Sequence, residues 1–121
     1  MRTLLLALIT LAAAASAGCG AEPGAPADDV AVLVLDSPVQ MDFVEGRAAG
    51  LRAADVAHGS LVARVLRSYC RARLVSVPVS DPDGGVSRGS YLEGLRNAVR
   101  RVERHPDDRT VVNISLSSPG P

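Results

Sequence analysis

His58 is followed by Gly59 and Ser60 and opens an apolar run through Leu61, Val62, Val65, Leu66 and Tyr69. An imidazole accepts and returns protons near neutral pH, which suits it to general acid–base chemistry. Asp36 is the second candidate, because it follows six apolar residues and precedes Ser37-Pro38. An acid at the carboxyl end of a buried parallel strand lies where open α/β sheets place their sites. Each residue read singly has a plainer alternative. A histidine beside an apolar face is often structural, and an isolated aspartate after a strand often caps a loop.

The elements that must position these residues follow from hydrophobic periodicity. The run VAVLVL at 30–35 is short, continuous and rich in valine, as expected of a strand buried on both faces. Pro38 cannot continue a ladder, so the strand should stop near Asp36. Residues 40–54 read as a connection, with turns at Gly46 and Gly50 and with Met41 and Phe43 packing beneath it. Positions 61, 62, 65, 66 and 69 predict one buried helical face, with Arg64, Arg67 and Ser68 opposite and His58 in the first turn. A second strand is expected over 73–79.

Residues 80–89 are turn-rich. Asp81-Pro82-Asp83-Gly84 resembles the opening of a calcium loop, but further ligands at the required spacing are missing, so it reads as a turn. Ser90 and Glu93 have capping-box spacing and predict a helix start at 90. On that helix Leu92, Leu95, Ala98, Val99 and Val102 should face the core, with Arg96, Arg100, Arg101 and Arg104 outward. His105 and Pro106 end it, and TVVNI at 110–114 is a third buried strand. Strand, helix, strand, helix, strand predicts an α/β fold: a parallel sheet with flanking helices.

With 121 residues the chain has room for one domain. Apolar residues make up 47 % but aromatics only 2 %, so the core must be built from valine, leucine and alanine. The formal net charge is zero, which argues against nucleic acid as a partner. All 13 basic residues are arginines, with Arg64, Arg67, Arg96, Arg100, Arg101 and Arg104 on the predicted helices. Residues 1–19 combine Arg2, an apolar run and the small residues Ser16-Ala17-Gly18 before Cys19, the pattern of an export signal. Ser16-Ala17-Gly18-Cys19 resembles a bacterial lipobox, in which Cys19 is lipidated and becomes the mature terminus. This implies an exported lipoprotein held at the membrane; the alternatives are cleavage after Ala17 or an uncleaved anchor. Residues 20–29 carry prolines, glycines and acids without periodicity and read as a flexible linker to a folded part at 30–121. Cys70 is the only cysteine of that part, and the expectation is an inert buried thiol.

Three of these stretches together resemble the subtilisin-like serine proteases. Val30 to Ser37 resembles the strand that delivers that family's catalytic aspartate, and Asp55 to Ala63 resembles its His-Gly-Thr helix. Val111-Val112-Asn113-Ile114-Ser115-Leu116 resembles the strand that borders its substrate cleft. The resemblance implies a subtilisin-like fold, of which 30–121 would be the amino-terminal portion only. It implies that His58 is the general base and acid and that Asp36 orients it. It further implies an extended peptide substrate pairing with the backbones near Gly84, Gly85, Ser115, Leu116 and Ser117. No cofactor is expected; calcium is common in the family, but no loop here supports a metal site.

The pattern also has departures. Pro38 stands where the family has glycine, Ser60 replaces the usual threonine, Leu61 a common histidine and Arg64 a usual glycine. The stretch between Asp36 and His58 is short for the family. The family's nucleophilic serine belongs to a segment after the cleft strand, and Ser117 and Ser118 match the cleft strand instead. The expectation is therefore a fragment of a serine endopeptidase that is inactive without that serine. The alternatives are a non-catalytic peptide-binding lipoprotein on the same fold and an unrelated α/β binding module.

Overall fold

The apolar run at 30–35 becomes the centre of the molecule. In the computed structural model, which describes residues 29–81 and 83–116, strand β1 (Val30–Asp36) is buried along its whole length. It lies between β3 (Arg73–Pro78) and β4 (Arg109–Ile114), and both pair with it in parallel. A two-residue strand β2 (Val44–Glu45) adds to the far side of β3, giving the order β2-β3-β1-β4. The sequence predicts three strands. The fourth was hidden because two residues carry no period to read.

Alternation along β1 divides the core between two helices. Val30, Val32 and Val34 face helix α1 (Ala57–Tyr69), packing with Leu74, Ala63 and the half-buried Val62 and Leu66. Leu33 and Leu35 face helix α2 (Arg88–Arg104), packing with Val75, Val77 and Ala98. The connection after β1 thus passes over one face of the sheet and the connection after β3 over the other. Neighbouring strands whose carboxyl ends diverge in this way leave a crevice between them, and Asp36 ends the strand on one side of it.

The helical faces require correction. On α1 the buried residues are Gly59, Ser60 and Ala63, while Leu61, Val65 and Tyr69 are exposed. On α2 they are Gly94, Ala98 and Arg101, while Leu92, Val99 and Val102 are exposed. Small residues face the sheet because the helices approach it closely: a Cβ on Gly94 would lie 2.2 Å from Val79 Cγ1. Each helix carries two apolar stripes, and hydropathy alone does not say which one the backbone approach selects. Arg101, expected on the solvent face, is buried between Glu45 and Asp108, each 3.5 Å from its Nη2. Arg73 bridges the same two acids, so the cluster joins β2, β3, α2 and the turn before β4.

Smaller corrections concern helix ends and loops. Helix α2 is capped by Ser87, whose Oγ accepts from the Ser90 N–H at 3.2 Å, so it starts before the predicted Ser90–Glu93 box. Gly46 and Gly50 turn with φ of 69° and 74°, as expected. Met41 packs against the α1-side core, whereas Phe43 is exposed under the Arg67 guanidinium, 5.0 Å from its ring centroid. Asp29, placed in the linker, accepts the Arg109 N–H and pairs with its guanidinium, tying it to the start of β4. Cys70 is buried but is disulfide-bonded rather than the inert thiol expected. The signal, Cys19, Ser117 and the rest of the linker lie outside the described residues.

Candidate active site

Asp36 and His58 lie on different elements and meet at the carboxyl edge of the sheet. Along β1 the even-numbered side chains face α1, so Asp36, the last of them, is directed at the start of that helix. His58 is the second residue of α1, and its Nδ1 lies 2.7 Å from Asp36 Oδ1. The carboxylate is 1 % exposed and the imidazole 60 % exposed, so a buried acid holds a ring that remains open to solvent. An ionised carboxylate only accepts hydrogen bonds, so the proton of a neutral ring sits on Nδ1. Nε2, on the opposite edge of the ring, then keeps a lone pair.

The local chain makes this meeting possible in three ways. The Ser37 N–H donates to the same Asp36 Oδ1 at 2.7 Å, fixing the carboxylate from below. The Gly59 N–H donates to Ser37 Oγ at 2.8 Å, and the Gln40 N–H donates to Ser60 Oγ at 3.1 Å. Gly59 itself is required by contact: a Cβ there would lie 2.2 Å from the Ser37 carbonyl oxygen. The Ser60 hydroxyl thus ties the start of the helix to the loop after β1. The other carboxylate oxygen, Asp36 Oδ2, is buried without a hydrogen-bond partner among the described residues.

The substrate-binding residues inferred from sequence are placed as follows. Gly84 turns with φ of 87° and lines a concavity of about 310 Å³ with Pro38, Leu51, Asp55, Ser80 and Asp81. That hollow therefore joins the loop after β3 to the segments flanking both Asp36 and His58. Gly85 is exposed, and its N–H donates to Asp83 Oδ1 at 3.0 Å. The Asp81 carbonyl oxygen accepts the Gly84 N–H at 2.9 Å, as expected of a turn at 81–84, and the Asp81 carboxylate accepts from the Ser87 N–H and hydroxyl. No group of three or more His, Cys, Asp or Glu side chains that could hold a metal occurs among the described residues. Leu35 pairs with Ile114, the last residue of β4, so Ser115 follows the end of that strand at the carboxyl edge of the sheet. Ser115 Oγ accepts from Asn113 Nδ2 at 2.8 Å. Leu116 packs onto the α2-side core, so its side chain serves packing.

Sequence reasoning passed over a second hollow, of about 370 Å³, on the other side of the helix start. Gln40, Met41, Val56, Ala57, Ser60, Leu61 and Arg64 line it. It also gave Asp55 no separate role. The Arg52 guanidinium, 3.0 and 3.2 Å from the two Asp55 carboxylate oxygens, holds that carboxyl below the usual range. Ser37 was visible only as a small hydroxyl residue after a strand-ending acid. Comparisons with family models, with curated proteins and with solved structures each find no match.

Proposed function

We propose that Asp36 and His58 are the base half of a serine-endopeptidase triad, and that residues 30–121 are the amino-terminal part of a subtilisin-like catalytic domain. The observation that carries this reading is the 2.7 Å contact between a buried carboxylate and the Nδ1 of an exposed imidazole. In that arrangement Asp36 fixes the ring and its tautomer, and Nε2 takes a proton from a hydroxyl nucleophile. As the peptide bond breaks, His58 returns the proton to the leaving amine, and Asp36 stabilises the imidazolium in between.

Support comes also from the order of the elements. The acid ends the central strand, the imidazole starts the following helix, and Ser115 directly follows the end of the adjacent strand. An extended peptide would lie along the backbones at 84–85 and 115–117, adding a strand to those segments. Cys19 would anchor the exported protein to the membrane through lipid.

The decisive experiment expresses the reading frame through and past residue 121 and assays fluorogenic peptides. Asp36→Asn and His58→Ala should each lower kcat/KM by about 100-fold or more. The 121-residue chain should give no turnover, because the sequence around Ser117 and Ser118 resembles the family's cleft segment and not the segment that carries its nucleophile. Peptide hydrolysis that survives both substitutions overturns the proposal. Peptide binding without hydrolysis by the longer product supports the non-catalytic alternative, which Pro38 and the short stretch between Asp36 and His58 favour.

A further inference from the structure

We propose that Ser37 is a positioning residue coupling the Asp36 carboxylate to the helix that carries His58; this rests on the protease reading above. Helix α1 has no side-chain cap of its own, since Val56 stands at its N-cap and makes no side-chain capping bond. The N–H groups of a first helical turn lack intrahelical partners, and a capping hydroxyl ordinarily meets the one at the second or third position. Here Gly59 is that third position. Its N–H is met by Ser37 Oγ at 2.8 Å, from the end of β1 and far away in sequence.

The same residue grips the acid. The Ser37 N–H donates at 2.7 Å to Asp36 Oδ1, the oxygen that also holds His58 Nδ1. One serine therefore touches the carboxylate with its backbone and the helix start with its side chain, and both bonds end within one residue of the Asp36–His58 contact. Pro38 follows it with φ fixed and no N–H to compete for the hydroxyl. Gly59 lets the Ser37 carbonyl come close enough for this geometry. Removing Oγ leaves the Gly59 N–H without its partner and frees the helix start to slide against β1. The imidazole then drifts from the carboxylate although neither side chain has changed.

The bond between Gln40 N–H and Ser60 Oγ provides the control. It also ties the loop after β1 to the start of α1, but it touches neither Asp36 nor its hydrogen-bond partners. The test follows the His58 Nδ1–H resonance by NMR in the full 121-residue chain, assigned by its loss in His58→Gln. Ser37→Ala should broaden or remove that low-field signal, Ser37→Thr should restore it, and Ser60→Ala should leave it in place at a similar loss of melting temperature. If Ser37→Ala does not fold, Ser37→Cys, which keeps the volume with a weaker acceptor, reads the same signal. In the longer product, Ser37→Ala should lower kcat by about tenfold with KM unchanged. An unaltered resonance in Ser37→Ala, or equal loss in Ser60→Ala, overturns the coupling. Loss confined to Ser37→Ala in a longer product that cleaves no peptide keeps the coupling and rejects the protease reading. Cleavage that needs His58 but ignores Ser37→Ala does the reverse.

Discussion

Gly59→Ala sets two physical effects against each other. As a residue inside α1, alanine should stabilise the helix by about 1 kcal/mol over glycine. Against this, the new Cβ would stand 2.2 Å from the Ser37 carbonyl oxygen, 3.1 Å from its carbon and 3.2 Å from its hydroxyl. The nearest obstacle is backbone of the strand end, so it cannot rotate away; strand and helix must part by about 1 Å to restore van der Waals contact. Overpacking of this kind costs about 1–3 kcal/mol, and losing the Ser37 cap on Gly59 costs about 1 kcal/mol more. The balance is a net destabilisation of about 1–3 kcal/mol, or a melting temperature lower by roughly 5–20 °C. The same separation would stretch the 2.7 Å Asp36–His58 contact beyond hydrogen-bond reach. Thermal melting followed by circular dichroism reads the first effect, and the His58 ring resonances read the second. A melting temperature equal to or above that of the wild type would show that propensity wins and that the close approach of α1 to β1 has been misjudged.

The buried arginine offers an independent check on packing. Arg101→Ala removes one of the two guanidinium groups serving Glu45 and Asp108 and should cost about 1–3 kcal/mol in urea denaturation; a loss under about 0.5 kcal/mol would return Arg101 to the surface role first expected. Strand β4 is the outermost strand among the described residues and exposes Val111, Val112 and Ile114, an edge that invites pairing with other chains. Val112→Lys should therefore raise the solubility limit with little change in melting; unchanged aggregation would place the sticky surface elsewhere. For the amino terminus, the wild type should partition with membranes and Cys19→Ser should not. The mass of the mature amino-terminal peptide distinguishes a lipidated Cys19 from ordinary cleavage after Ala17.

How much was legible differs by level. The sequence by itself pointed to 30–35 as a strand buried on both faces, because a six-residue apolar run rich in valine and cut off by Asp-Ser-Pro is too short for a helix and has no polar alternation. It determined the order of the main elements, because period and turn residues are local properties. It also marked Asp36 and His58, since each sits at the junction of an apolar run with a polar break. What it could not decide was which stripe of each helix meets the sheet. Leu61, Val65 and Tyr69 form as good a hydrophobic row as the buried one, yet Gly59, Ser60 and Ala63 win because they let backbones approach. Arg101 went unread for a related reason: its burial depends on Glu45 and Asp108 arriving from distant parts of the chain. The tertiary structure alone brought the Asp36 carboxylate to His58 Nδ1 and gave Ser37 its place between them. A hydrogen bond is decided within tenths of an ångström, and only the packing of α1 against β1 sets distances on that scale.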